Sequence, residues 1–401
     1  MLTRRGWGLA LSSLAFLVAG RLFGLVELFV LAAVSAVLCI AAVAYVYFRS
    51  VDVEVTRTLH PPRVFAGMSS RVELDLYNRS ARRTPVLTVR DPFDGGARWA
   101  RFLSAPLGPR ARTRAAYRLP TERRGIYDVG PMHVGVADPF GLAGARFQAA
   151  GVTQLTVYPH IDVVHALPST QGHDPHSGTQ NPTALVGPGE DFYALRPYEM
   201  GDDTRRVHWP STARVDDLMI RQDEMPWQTR STILLDVRAE VHTEASLDIA
   251  VSAAASIHDA TRRQRALLRV VTTAGSDSGY AAGHAHDQAI LEHLAAVGTT
   301  RSNRLAGVAA SLRQAGNGGS LAIVTTADAS DADFDALAGL RGRYSLIVLV
   351  LVDRSAYTRS AYVKRLPDRP VPTFSGVARI TAEQAFPAAW ARAITPVGSR
   401  R

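Results

Sequence analysis

The sequence predicts a mixed architecture of α/β plus β: N-terminal transmembrane helices, an Ig-like β-sandwich and a doubly wound α/β domain. Three observations predict it. Two apolar runs fill residues 1–50, short alternating stretches punctuated by Pro, Gly and Asn fill residues 51–160, and strand-like apolar runs alternate with helix-period runs from 231 to 401. The length agrees, since 401 residues exceed one ordinary domain of about 100 to 200 residues.

Leu22 to Phe48 is apolar apart from Glu27 near its start, and about 20 such residues cross a hydrocarbon core. Trp7 to Gly20 is shorter and follows Arg4 and Arg5. It reads either as a second span, over about 7–21, or as the apolar region of a signal peptide. As a hairpin, the pair puts Arg4 and Arg5 before and Arg49, Arg57 and Arg63 after the membrane on one face, which the positive-inside tendency makes cytoplasmic. The expectation is a multi-pass protein of the plasma membrane with its soluble part in the cytoplasm. The lipid bilayer is then its first partner.

Charge and cysteine content exclude several classes. The formal charge of +9 rests on arginine, Lys364 being the only lysine, and no basic helix or basic-aromatic interleave accompanies it, so nucleic acid is not an expected partner. Cys39 is the only cysteine and lies in an apolar run. One cysteine supplies neither a disulfide framework nor a Cys-based zinc site.

In the β-region, VDVEVTRTL, SRVELDLYN, TPVLTVRDPF, RTRAAYRLP and LTVYP read as half-buried antiparallel strands. Pro61-Pro62 marks a bend or edge, and Gly67 and Asn78-Arg79-Ser80 mark turns. From Glu122 to Phe147, an Arg-Arg-Gly and an Asp-Pro-Phe-Gly bracket what reads as one alternating strand. Asp138 to Gly141 is a turn by its chemistry, because Asp bonds its own backbone, Pro fixes φ and Gly allows positive φ. Residues 161–186 read as a linker; His173, Asp174 and His176 within it are a solvated loop rather than a metal site.

Gly187 to Glu224 concentrates acids, arginines, aromatics and glycines outside any helical or strand period. Arg196, Arg205, Arg206 and Arg214 supply forks able to hold Asp202 and Asp203 bidentately. The stretch from 187 to 230 is therefore a clasp of ion pairs and caps joining the β-domain to the α/β domain, or a surface that a ligand, metal or partner reads. From Ser231 on, the strands Ser231–Val237, Ala266–Ala274, Ser320–Ala327, Tyr344–Asp353 and Ala378–Ile380 alternate with helices. Doubly wound sheets bind ligands at the carboxyl ends of their strands, which singles out Asp236.

The quoted residues carry a family resemblance. Gly187, Gly189, Asp191, Phe192, Leu195, Arg196, Tyr198, Gly201, Asp202, Asp203, Arg205 and Trp209, with Arg123, Arg124, Gly125, Tyr127 and Asp138 to Leu142, resemble the motifs of the bacterial DUF58 family. Val207 stands where that family usually has Ile. The resemblance implies paired N-terminal membrane helices and a C-terminal von Willebrand factor A-like domain. It also implies Asp191, Phe192, Arg196, Tyr198, Gly201, Asp202, Asp203, Arg205 and Trp209 as partner-binding or structural residues. A von Willebrand A domain begins its Mg²⁺ site with D-x-S-x-S, whereas this chain reads Asp236-Val237-Arg238-Ala239-Glu240.

A hard cation wants oxygen ligands and little positive charge beside them. Arg238 therefore disfavours Mg²⁺, and Asp236 is expected to cap its loop or to pair with Arg238. The usual Asp-Gly after the SLAIVTTA strand is missing too, leaving Thr325, Thr326 and Asp328 as donors. No cofactor is expected.

The implied function is a non-enzymatic, membrane-anchored interaction or scaffold module. Its implied partner is a MoxR-class AAA+ ATPase, in assembly or maturation of envelope-associated clients. The alternative is an enzyme or metal-binding protein using Glu190 to His208, with Glu190, Asp191, Asp202, Asp203 and His208 as acid-base groups or ligands. No nucleophile with an evident base and no phosphate loop supports that alternative. An extracellular adhesin would need an intact metal site and the opposite topology.

Overall fold

The structure is a computed structural model that describes residues 1–48, 51–168, 194–198, 207, 209–215, 217–222, 229–301, 305–315, 319–354, 374–382 and 384–395. The chain divides into two compact units, Met1–His160 with Leu291–Ala296, and Ile161–Ile290 with Val297–Arg401.

In the first unit, helices α1 (Arg4–Phe23) and α2 (Val26–Phe48) form an antiparallel hairpin. Both are long and apolar enough to cross a membrane. Thr3 caps α1 by accepting from the Gly6 amide, and Gly24, at φ 68°, ends it in the left-handed conformation. Small residues let the helices approach: Ser13 Oγ donates to Ala32 O at 2.8 Å, and Cys39 Sγ lies 3.8 Å from Gly6 O.

Ten strands follow: β1 (Val53–His60), β2 (Arg63–Phe65), β3 (Ser70–Asn78), β4 (Leu87–Phe93), β5 (Arg98–Ser104), β6 (Arg112–Leu119), β7 (Gly125–Val129), β8 (Met132–Ala137), β9 (Gly144–Ala150) and β10 (Thr153–Tyr158). They make a three-stranded sheet, β1-β3-β6, and a larger one, β2-β10-β7-β4-β8-β9, with β5 on β4. Alternate residues of both sheets, among them Val72, Leu74 and Leu76 of β3 and Val89, Val134 and Leu155 of the other sheet, share one core. This is the two-layer packing that period-two strands produce when each buries one face.

Several details differ from the sequence expectation. The single strand expected between Arg124 and Asp138 is two, β7 and β8, broken at Gly130-Pro131, where Gly130 has φ 103°. Strand β9 carries no clean alternation, and in β5 exposed and half-buried positions alternate without the apolar residues following them, Trp99 and Leu103 lying on the exposed side, so periodicity does not mark either strand. Asn78 is more than a turn residue. Its fully buried side-chain amide donates to Arg82 O and Gly108 O at 2.8 Å, and its oxygen accepts from the Ser80 amide and hydroxyl. Tyr127 Oη reaches back to Arg123 O and Arg124 O at 3.0 and 3.2 Å, so this motif tyrosine staples its own turn.

Inside the sandwich, Arg57 Nη1 donates to Asp91 Oδ1 at 2.7 Å and Tyr117 Oη to Asp91 Oδ2 at 2.6 Å. Arg57 also donates to Thr153 Oγ1 and to Gly151 O.

The second unit opens with a small antiparallel pair, β11 (Ala194–Pro197) with β12 (Met219–Gln222), separated in sequence by helix α3 (Trp209–Val215). Then come β13 (Arg230–Leu235), α4 (Glu244–Arg262), β14 (Leu267–Thr272), α5 (His284–Ala296), whose residues from Leu291 on count with the first unit, α6 (Leu305–Ala315), β15 (Ser320–Thr326), α7 (Asp331–Ala338), β16 (Leu346–Val352), β17 (Gly376–Ile380) and α8 (Phe386–Ile394). The sheet order is β14-β13-β15-β16-β17, and every pairing is parallel. Numbered within the sheet this is 2-1-3-4-5, the flavodoxin-like doubly wound order, whose switch point lies between the first and third strands. Strands β15 and β16 are buried almost throughout, as parallel strands covered on both faces must be.

The described part of the expected linker, residues 161–168, is packed rather than loose. Leu167 is buried, Trp390 Nε1 donates to His165 O at 2.8 Å, and Ser320 Oγ donates to Pro168 O at 2.6 Å. Isolated apolar residues in a turn-rich stretch, such as Leu167, gave no period to read. His173, Asp174 and His176 lie outside the described residues.

Candidate functional site

The switch point between β13 and β15 holds the densest buried charge cluster among the described residues. Asp236 follows β13, and its amide donates to Val324 O at 2.9 Å, extending the strand pairing by one residue. Its carboxylate is fully buried and takes donors from four directions. Thr273, one residue past β14, donates Oγ1 to Oδ1 at 3.1 Å, and Thr325 of β15 donates Oγ1 to Oδ2 at 2.8 Å. The Arg238 amide reaches Oδ1 at 3.2 Å. The Arg238 guanidinium folds back onto both oxygens, Nε to Oδ1 at 3.0 Å and Nη2 to Oδ2 at 2.8 Å.

The same guanidinium holds a second carboxylate. Arg238 Nη1 lies 3.2 Å from both oxygens of Asp333, and Nη2 lies 3.2 Å from Asp333 Oδ2. Asp333 is pinned from its other side by the capping box of α7, in which the Ser330 amide and hydroxyl donate to Oδ2 at 3.1 and 2.8 Å. The side chains of Asp236, Arg238 and Asp333 are 0, 8 and 11 % exposed.

The electrostatics follow from this packing. Burial works to raise the Asp236 carboxyl, but the hydrogen bonds and charge of Arg238 outweigh it, and Asp236 is held below the usual carboxylate range. Arg238 is held correspondingly above its ordinary value. His242, three per cent exposed, is pushed down to about 4 by burial, with Asp236 opposing and Arg238 and Arg354 adding to the shift. Its Nδ1 lies 3.3 Å from Ser246 Oγ, and its Nε2 and the buried Thr326 Oγ1 have no hydrogen-bond partner.

Chemically, the arrangement places a planar cation where a doubly wound fold ordinarily offers its crevice to a ligand. The Asp236 lone pairs that a divalent ion would use are occupied by guanidinium and hydroxyl protons. Among the described residues no group of three His, Cys, Asp or Glu side chains could hold a metal ion. Of the donors read from the sequence, Thr325 joins the cluster, whereas Asp328 stays at the surface, 4.0 Å from Arg354. Asp333 and Thr273 were not singled out by sequence. The Ser330-to-Asp333 capping spacing and the position of Thr273 at a strand end were the available signals.

The motif residues are placed only in part. Asp191, Phe192, Gly201, Asp202, Asp203 and Arg205, together with Glu190 and His208, lie outside the described residues. Arg196 pairs through its backbone with Ile220, and the Tyr198 amide donates to Leu218 O at 2.7 Å. Val207 is buried, while Trp209, at the start of α3, is 67 % exposed.

Residues 194–358 match the family described as "Protein of unknown function DUF58". The DUF58 match takes in α3, Asp236, Arg238 and Asp333; it leaves out the apolar hairpin, the sandwich and the first part of the motif. No curated protein matches the chain. Among solved structures the chain is similar to the CARDB domain of a Pyrococcus furiosus protein, at 16 % identity over 27 % of this chain and 96 % of that one, with a TM-score of 0.22. It is also similar to the Pseudomonas fluorescens alkylpurine DNA glycosylase AlkC, at 13 % identity over 27 and 31 % of the two chains, with a TM-score of 0.19. A beta-glucosidase from Listeria innocua matches at 18 % identity over 25 and 16 %, with a TM-score of 0.16. The strand pairings, not these distant similarities, define the architecture.

Proposed function

We propose that the chain is a membrane-anchored protein-interaction module whose α/β domain performs no chemistry of its own. The observation that carries this reading is the filled switch point, where Arg238 neutralises Asp236 and Asp333 from within. A reaction centre or an ion site there would need lone pairs and space that the guanidinium takes. We read the domain as von Willebrand A-like, with the arginine standing where that fold carries its cation.

The apolar hairpin supplies the anchor, and Arg4 and Arg5 at its start favour a cytoplasmic face. A reporter fused after Arg401 is then active only inside the cell; activity outside reverses the orientation.

The partner surface is the acidic motif around Asp202. Trp209 supports this choice, because a large exposed aromatic on a short helix is the residue type that anchors protein interfaces. The partner class is a MoxR-class AAA+ ATPase acting on envelope-associated clients, as the motif resemblance implies. The test is photo-crosslinking in cells from an amino acid installed at Trp209. Capture of such an ATPase, abolished by Asp202→Ala with Asp203→Ala, supports the reading. Capture that ignores both acids makes the motif structural, and absence of an ATPase among the captured proteins removes the partner.

A further inference from the structure

We propose that the turn from Asp138 to Ala143 is a second membrane contact, which seats Phe140 in the headgroup region of the bilayer beside the start of α1. The proposal rests on the reading of α1 and α2 as membrane spans, and it assigns the turn an occupant, the lipid itself.

The turn is built rigidly. Asp138 Oδ1 accepts from the Phe140 amide at 2.9 Å, Oδ2 accepts from the Ala143 amide at 2.5 Å, and the Gly141 amide donates to Asp138 O at 3.0 Å. Gly141 sits at φ 68°, a conformation a β-carbon disfavours. This frame presents Phe140 outward, 65 % exposed. A lone exposed apolar side chain needs no explanation by itself, so the argument rests on where the turn is tied.

It is tied to the first residues of the hairpin. The Thr3 amide donates to Leu142 O at 2.8 Å and its hydroxyl to Gly141 O at 2.6 Å, while the Gly144 amide donates to Met1 O at 2.9 Å. Leu142 and Ala143 pack with Ala42 and Val46 of α2, and Leu9, Leu38 and Tyr45 lie against them. The turn therefore sits inside the open end of the hairpin. A β-carbon on Gly6 would come within 2.1 Å of Leu142 O, which shows how closely α1 abuts it.

The depth follows from the helix register. Gly6 faces Cys39 and Ser13 faces Ala32, which brings Arg4 level with Ala41. The rest of α2, to Phe48, continues for about 10 Å at 1.5 Å per residue. Arg4 and Arg5, both exposed, mark the headgroup level on α1. A turn bonded to Thr3 lies at that level, and Phe140 on it has lipid as its neighbour rather than bulk water. Both helices expose apolar side chains along their length, from Trp7 and Leu11 to Val37 and Ile40.

The test uses the full chain in vesicles of phosphatidylcholine and phosphatidylglycerol carrying nitroxide lipids. In a Cys39→Ala background, an environment-sensitive fluorophore is attached at Leu14→Cys, Phe140→Cys or Met68→Cys. Leu14 is on the outer face of α1, and Met68 is an exposed residue beyond the far end of β1 from the membrane. The expected result is strong quenching of the Leu14 label by acyl-chain nitroxide and strong quenching of the Phe140 label by headgroup nitroxide, with the Met68 label unaffected. Quenching at Leu14 with none at Phe140 overturns this proposal and leaves the anchor intact. Absence of quenching at Leu14 overturns the anchor, and this inference with it. A Phe140 label shielded from both nitroxide lipid and aqueous iodide overturns it in favour of a protein contact. Phe140→Trp, read by brominated lipid against the same chain with Phe140 retained, repeats the measurement with a smaller change at the turn.

Discussion

The sandwich and the α/β unit each bury an arginine against a carboxylate, with opposite consequences for the acid. In the sandwich, Asp91 receives two side-chain donors, Arg57 and Tyr117, and is fully buried. Burial is the largest influence and leaves Asp91 above its ordinary range despite both partners. In the α/β unit, Asp236 is as deeply buried but is surrounded by Arg238 through side chain and backbone, by Thr273 and by Thr325, and it is held low. Burial alone therefore does not set the state of a buried acid; the number of protons aimed at it does. The difference also separates a staple from a filled site. Arg57, on β1, ties the three-stranded sheet to β4 and β10 of the other sheet, whereas Arg238 closes a crevice that the topology opens.

The largest expected effect comes from removing each arginine. Arg238→Met leaves two carboxylates facing each other in a buried site, a loss of about 3–5 kcal/mol for breaking a buried pair. Arg57→Met leaves one acid, whose carboxyl burial already holds above its ordinary value. With the folded value of Asp91 above the unfolded one, the folded chain binds protons more tightly, so this deficit is greatest at neutral pH and shrinks as pH falls toward 3.8. Hydrogen exchange read separately over β13 and β4 measures both. Equal, pH-independent losses would break the comparison. Arg238→Ser sharpens it: if the guanidinium stands in for a cation, millimolar Mg²⁺ restores part of the lost protection in that variant and none in the parent.

The parallel sheet was legible in the sequence because apolar strand-like runs, densest in β15 and β16, alternate with helix-period runs, and Asp236 was legible because strand ends in such sheets face the crevice. The pairing of Asp236 with Arg238 was visible as an alternative from their two-residue spacing. Asp333 was not, since a capping acid read locally explains itself fully and says nothing about an arginine 95 residues away. The sandwich was readable where polar and apolar residues alternate with burial, as in β3, and unreadable in β5, where the apolar Trp99 and Leu103 share the exposed face with Arg101 while Phe102 on the other face packs against the core. Asp138 was readable as a turn residue, but the tie of its turn to Thr3, through Gly141 O and Leu142 O, is a contact over more than a hundred residues that no local pattern carries.

Acid should separate the two regions next. His242 and His258 are both buried and pushed down to about 4 from 6.5, burial being the first cause in each. His258 Nε2 lies 3.3 Å from Asp287 Oδ1, yet neither ring nitrogen makes an aligned hydrogen bond. Between these values the unfolded chain takes protons that the folded chain refuses. The contribution is therefore full above 6.5, falls as pH drops toward 4 and levels off below it. At about 1.4 kcal/mol per pKa unit, each histidine is worth up to about 3 kcal/mol. Asp91 acts in the opposite sense over part of the same range. Exchange at pH 4.5 should open α4 before β4, and His242→Gln with His258→Gln should flatten the dependence; equal opening of both regions would contradict the assignment.

The smallest effects test the donor count directly. Tyr117→Phe removes one of the two side-chain donors to Asp91, and a hydrogen bond to a charged group is worth about 1.5–3 kcal/mol. Thr325→Val removes one donor among several at the ionised Asp236, where both oxygens keep Arg238 or Thr273 and the remaining donors carry the charge, so its cost should fall below that range, to about 1 kcal/mol. Local unfolding free energies from exchange in β4 and β15 read the two. If Thr325→Val proves the costlier change, the protons around Asp236 are not in surplus. The account of Arg238 as a complete replacement for an external ligand would then fail, because a site that needs every donor it has is not one that is filled.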